Sequence, residues 1–235
     1  MKRNLAAAIL AVLGVVASAA AAKSGGQVVI AYLDQPDSLN PAKANYGISS
    51  MVSWAFTNSL FTTDQHNGDV PDLVERWSVS RDGLTWTFHL RPGVRFSDGT
   101  GMTSRDVLAS LRTIMNPDAV LSNGALSGVV RELTADGPDT FTVRLSSPYS
   151  LLPSLLQRPI VPWRALEGTA AQKAEYERRP VGTGPFRLAE WTPDLIALDA
   201  NPLYVGGRPP LDRIDSSFLN CPCPPRTEQR SGQAC

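Results

Sequence analysis

The residues whose spacing first suggests chemistry are the two glycines of VGTGPF, Val181 to Phe186. A phosphate-cradling loop uses glycines so that backbone N–H groups can approach an anion. A dinucleotide fingerprint of this kind runs G-x-G-x-x-G from a strand into a helix. Here Arg187 stands where the third glycine should be, and Pro185 removes an N–H from the loop. The FRLAEW that follows alternates like a strand, not a helix. Phosphate binding is therefore disfavoured. Other chemistry-bearing residues are sparse. The chain has two histidines, His66 in a turn-rich stretch and His89 among alternating residues. Its three cysteines, Cys221, Cys223 and Cys235, all fall in the last fifteen residues. Cys221-Pro222-Cys223 is too tight to pair easily, and a zinc site would need a fourth ligand that neither histidine supplies nearby in sequence. No metal site and no cofactor is expected. No G-x-S-x-G, H-E-x-x-H or P-loop pattern occurs, so a secreted hydrolase is the weaker alternative.

The elements that must position these residues are carried by 235 residues with no net formal charge and 43% hydrophobic content. That supports a folded core. Balanced charge supplies no basic face for nucleic acid. At the N-terminus Lys2 and Arg3 precede an apolar run from Leu5 to Val16 and then small residues, with Ala17-Ser18-Ala19 and Ala20-Ala21-Ala22 as cleavage options. This is the order of a secretory signal peptide. The run is short and alanine-rich for a membrane span of about 20 apolar residues. Cleavage near Ala22 and an exported protein are expected. No cysteine near the cleavage region provides for a lipid anchor.

Further along, QVVIAYLD (Gln27–Asp34) reads as a buried strand. SSMVSWAFTNSLF places Met51, Val52, Ala55, Leu60 and Phe61 at roughly helical spacing, with Ser49 or Ser50 as cap and Trp54 as a core residue. In DGLTWTFHLRPGVRFSDGT, Trp86, Phe88 and Leu90 point one way, while Thr85, Thr87 and His89 form the polar face. MTSRDVLASLRTIM predicts a helix capped by Thr103 with Asp106 three residues on. Its apolar stripe is Val107, Leu108, Leu111, Ile114 and Met115. GVVRELTADGPDTFTVRL predicts a hairpin turning at Asp136-Gly137. RALEGTAAQKAEYERR reads as one charged helix, and GPFRLAEWTPDLIALDANPLY as another hairpin. Hairpins interrupting strand–helix units argue for more than one subdomain.

Two blocks together carry a resemblance. PDLVERWSVSRDGLTWTFHLRPGVRFSDGTGMTSRDVLASL (Pro71–Leu111) and RPVGTGPFRLAEW with NPLYVGGRPPLDRI (Arg179–Ile214) resemble the extracytoplasmic solute-binding proteins of peptide and nickel ABC importers. The class includes dipeptide-, oligopeptide-, glutathione- and nickel-binding proteins. Gly101 departs from the pattern, which more often has proline there.

The resemblance implies a mixed α/β (α+β) fold, periplasmic-binding-protein-like, type II. On that pattern residues 1–22 are the signal peptide and 23–56 the first part of domain I. Residues 57–175 are an inserted domain II, 176–220 the return segment of domain I, and 221–235 a tail. A third, closing domain is expected to be absent. The tail CPCPPRTEQRSGQAC reads either as a frameshift or as a diverged in-frame stretch. The implied function is non-catalytic capture of a peptide or related small solute in an interlobe cleft, and its delivery to ABC permease transmembrane subunits. The expected protein is periplasmic and monomeric. The alternative is a non-transporting remnant without useful affinity.

The resemblance also implies ligand-binding residues. Arg158, in LLQRPIVP, matches a position that faces the cleft in nickel-type members, where a guanidinium can hold a carboxylate through two hydrogen bonds. Tyr46 matches a cleft-lining aromatic. Thr183 and Gly184 are expected to present backbone groups to the cleft. The glycines of VGTGPF are expected to permit a tight turn where the chain returns to the first sheet. Nickel is the less favoured solute, since His, Cys and Met are sparse before the tail.

Overall fold

The computed structural model describes residues 25–44, 47–120 and 122–218. The signal-peptide reading, Tyr46 and the cysteine-bearing tail lie outside the described residues. Strands β1 (Gln27–Tyr32), β2 (Phe61–Thr63), β3 (Asp69–Pro71), β4 (Val74–Val79) and β5 (Thr85–Leu90) occupy the first part of the chain, with helix α1 (Gly47–Phe56) between β1 and β2. Helices α2 (Ser104–Met115) and α3 (Gly124–Val129) precede a hairpin of β6 (Val130–Ala135) and β7 (Thr140–Leu145). Three helices follow: α4 (Leu152–Leu155), α5 (Trp163–Leu166) and α6 (Ala170–Arg178). The described chain ends with β8 (Phe186–Trp191), β9 (Leu195–Ala200) and β10 (Arg213–Phe218).

Among the described residues the strands form two four-stranded sheets and one small hairpin. The terminal sheet has the order β1-β10-β9-β8, with β1 and β10 parallel and the other pairs antiparallel. The inserted sheet is antiparallel, ordered β4-β5-β7-β6, and β2 pairs with β3. Everything from β2 to α6 lies between β1 and the strands that complete its sheet, so the backbone crosses between the two sheets twice.

The inserted sheet follows its alternation. Trp86, Phe88 and Leu90 are buried, while Thr85, Thr87 and His89 are half-buried. β7 alternates in the same way, burying Phe141, Val143 and Leu145. Phe88 stacks on Phe141 with centroids 5.0 Å apart, and Phe61 meets Phe88 edge-on at 6.1 Å. Helix α2 buries Val107, Leu108, Leu111 and Ile114 against this core. Its cap is the expected one: Asp106 Oδ2 accepts from the Thr103 N–H at 2.8 Å and from its hydroxyl at 3.0 Å. The turn of the β6–β7 hairpin closes through Asp136 N–H to Thr140 O at 2.9 Å.

The terminal sheet departs from expectation at two places. β1 is not a buried strand: Val29 is 64% exposed, and Val28 and Ile30 are also exposed. It has one sheet neighbour, and among the described residues its faces are poorly covered. Helix α1 covers β8, β9 and β10 instead, packing Val52 and Phe56 against Phe186, Ile196, Leu198 and Phe218. Met51 and Trp54 turn outward on α1 and are exposed, so Trp54 is not a core residue. Leu60 and Phe61 are buried, but beyond the helix end and in the core of the inserted sheet. Ser49 does not cap α1, which begins at Gly47. Its hydroxyl pairs with the Asp37 carboxylate and accepts from the Asp37 N–H at 3.0 Å.

The single helix expected after Pro162 is divided into α5 and α6. Gly168 separates them, and a Cβ there would stand 2.2 Å from the Arg164 carbonyl oxygen. Thr169 then restarts the helix by a capping box with Gln172.

Candidate functional site

The two crossings between the sheets run side by side. Gly184 N–H donates to Phe56 O at 3.0 Å. A Cβ on Gly182 would lie 1.9 Å from Phe56 O, and one on Gly184 would lie 2.5 Å from the Phe56 carbonyl carbon. Neither glycine has a positive φ. Their requirement is thus space for backbone against backbone, not the turn conformation expected from the sequence. The carbonyl of Gly182 accepts from Ser97 N–H at 2.9 Å, and that of Gly184 from Asn201 Nδ2 at 2.8 Å. Both polar backbone groups of Gly184 are therefore engaged within the fold. Thr183 is fully buried, and its hydroxyl donates to Asn58 Oδ1 at 3.3 Å.

Arg158 lies on the loop between α4 and α5. It is exposed and makes no ion pair among the described residues. It rims a small groove shared with Pro41 and Ala42 from the loop after β1, with Thr113 and Ile114 of α2, and with Leu166 of α5. The position combines a guanidinium in no ion pair among the described residues with a mostly apolar groove of about 20 Å³, so it offers donors for a carboxylate while enclosing little of the body joined to it. The loop is held from below. Ile160 N–H donates to Asn58 O at 2.9 Å, and Pro159 bridges to Ser59. Val161 N–H donates to the buried Ser110 hydroxyl at 3.1 Å, and Trp163 N–H to Asp106 Oδ1 at 2.8 Å. Arg105 stacks over the half-buried Trp163 ring at 3.4 Å.

The structure brings Thr183 and Gly184 together at the crossings, while Arg158 sits on a neighbouring loop that touches the first crossing. Asn58 and Asp72 were not singled out by sequence reasoning. Asn58 Nδ2 donates to Asp72 Oδ2 at 2.8 Å, and Ser59 N–H to the same oxygen at 3.3 Å. Burial pushes the Asp72 carboxyl above its ordinary value, against those hydrogen bonds and the nearby Arg91 charge. No local pattern marks either residue, because their partners lie on distant segments.

A larger groove of about 670 Å³ runs along α6 and β8. Arg164, Arg179 and Arg187 line it with Asp98, Glu175 and Asp199. Its charges balance, and Asp98 and Asp199 are already paired with Arg164 and Arg213. It therefore selects a ligand less clearly than the Arg158 groove does. His89 faces Thr140, with Nδ1 3.2 Å from the hydroxyl, and His66 contacts Gln65. Among the described residues no three His, Cys, Asp or Glu side chains gather as a metal site. No helix among them is long and apolar enough to cross a membrane.

The fold defines a class of binding protein. It resembles the periplasmic binding protein DppA of Helicobacter pylori, solved with the peptide STSA, at a TM-score of 0.74 and 26% identity over 84% of this chain and 43% of that one. It also resembles AgaA of A. tumefacien R10, solved with agropinic acid, at 0.73 and 30% identity over 83% of this chain and 40% of that one. Residues 70–233 match the bacterial extracellular solute-binding proteins, family 5 middle region, and the chain belongs to that family. It is 33% identical over 209 residues to the glutathione-binding protein GsiB of Salmonella typhimurium, across 87% of this chain and 41% of the relative. The chain thus spans about two fifths of the length of the curated relatives it matches.

Proposed function

We propose that the chain is the solute-capturing part of an ABC importer, exported to the periplasm, and that it takes a small carboxylate-bearing solute of the peptide or glutathione class without chemical change. The observation that supports this most directly is Arg158, exposed and in no ion pair among the described residues, beside a small apolar groove. Its guanidinium can grip a carboxylate in two parallel charge-assisted hydrogen bonds, a geometry that lysine cannot reproduce. Similarity to glutathione-binding relatives supports the same class. Bound solute then passes to the permease subunits. We divide the chain for this role at residues 56/57 and 175/176, into a two-part first domain and an insertion.

The test is a titration of the 23–235 chain with glutathione, followed by amide and arginine NMR signals at millimolar ligand. Shifts are expected around residues 158–161 and should be lost in Arg158→Ala. In a longer version carrying the remaining length of the relatives, the same substitution should weaken binding by about 2–5 kcal/mol if the charge pair is buried. Equal binding by parent and Arg158→Ala would return Arg158 to an ordinary surface role.

A further inference from the structure

We infer that Asn58 is a positioning residue for Arg158, and that the buried hydroxyl of Thr183 acts through it. The inference rests on the proposed role of Arg158. Asn58 follows directly after the first crossing between the sheets and is held on three sides. Its Oδ1 accepts from Thr183 on the return crossing, and its Nδ2 donates to Asp72 at the start of the inserted sheet. Its carbonyl accepts from Ile160, two residues beyond Arg158. Ser59, the next residue, bridges to Pro159, the residue immediately after Arg158, and shares the Asp72 carboxylate.

The orientation of this unit is determined by donor and acceptor type. When ionised, the Asp72 carboxylate only accepts, so it selects the Nδ2 face of the amide. That leaves Oδ1 toward Thr183, whose hydroxyl supplies the donor. The amide plane is thereby fixed between two separate chain segments, and the residue's backbone carbonyl is presented to Ile160. Thr183 is fully buried and Asn58 is half-buried, so water replaces these bonds poorly. Arg158 itself is in no ion pair among the described residues, and Pro159 provides no N–H, so the loop is held through the residues around it: Gln157 to Asp69 and Thr63, Ile160 to Asn58, and Val161 to Ser110. The Asn58–Ser59 contacts hold the two residues that directly follow Arg158, Pro159 and Ile160, and so fix its base from the C-terminal side. A long, rotamer-rich side chain recognises a carboxylate well only if its base is held still. On this account Thr183 contributes to recognition from within the fold, through a relay of Thr183, Asn58 and the Ile160 amide, and not by touching the solute.

The experiment compares Thr183→Val, Thr183→Ser and Asn58→Ala in the 23–235 chain, without ligand, by amide exchange and by the Arg158 Nε–H signal. Thr183→Val and Asn58→Ala should raise exchange at Ile160 by about three- to tenfold and shift the Arg158 signal, while β5 amides keep their parent rates. Thr183→Ser should remain near the parent, since it keeps the hydroxyl. Unchanged exchange at Ile160 in both disruptive variants overturns the inference. So does uniform acceleration that includes β5, because the effect is then global and not a matter of positioning. A glutathione titration run alongside separates the two readings. If Arg158→Ala binds as the parent does while Thr183→Val still loosens Ile160, the role of Arg158 falls and the relay stands.

Discussion

β5 and β1 are both six-residue strands rich in apolar side chains, yet they meet opposite fates. β5 lies inside its sheet between β4 and β7, and every second side chain enters a core closed by α2 and the Phe61–Phe88–Phe141 cluster. Among the described residues β1 is an edge strand, paired on one side by β10, and its two valines are exposed. The strand with more apolar residues thus gains less stabilisation. Apolar residues contribute in proportion to the area removed from water, and β1 removes little.

The largest test of this contrast is Phe88→Ala. Phe88 is fully buried and stacked on Phe141, so the change should cost about 3–5 kcal/mol by denaturant unfolding followed at the inserted sheet. Val29→Ala on β1 should cost less than about 0.5 kcal/mol in the same assay. Comparable losses at the two sites would mean that β1 is covered in solution.

Next in size is Gly184→Ala, which places a methyl group against Phe56 and Thr57 backbone atoms at the crossing. A cost of about 1–3 kcal/mol is expected, as for overpacked interiors. Gly207→Ala is a poor control because its φ is positive, whereas Gly47→Ala meets open space and should change stability little. If Gly184→Ala proves as mild as Gly47→Ala, the two crossings are not in close contact.

A smaller effect concerns pH. Because burial raises the Asp72 carboxyl, the folded chain holds that proton to higher pH than the unfolded chain. The stability this group contributes is complete below its ordinary value of 3.8, and is lost as pH rises through the raised folded value. Asp72→Asn should flatten that part of the stability–pH curve. Parallel curves for parent and variant would dispose of the assignment.

The smallest change expected is in exchange pattern, without mutation. Amides of Trp86–Leu90 should be strongly protected and those of Gln27–Tyr32 weakly, since local opening follows burial and contact density. Equal protection would erase the distinction between the sheets.

Local signals in the chain determined much of this protein. The alternation Trp86-Thr87-Phe88-His89-Leu90 specified a half-buried strand and placed His89 outside the core, because side chains of a strand must alternate. Thr103 and Asp106 marked the start of α2, because the first N–H groups of any helix lack partners and a nearby carboxylate can take them. The two blocks, one within the insertion and one after it, sufficed to indicate the family. What the chain left open depends on contacts between distant segments. QVVIAYLD reads as a buried strand, but burial requires covering elements, and sequence period cannot show whether they are present. Trp54 and Met51 fit a helix, yet only the direction in which α1 meets β8 turned them outward. Gly182 and Gly184 suggested a turn, whereas their need for bare backbone arises from Phe56, more than a hundred residues earlier. The same holds for Asn58. Its amide has no distinguishing neighbours in sequence, and it gains a role only where the tertiary structure places Thr183, Asp72 and Ile160 around one residue, since hydrogen bonds act over about 3 Å regardless of separation along the chain.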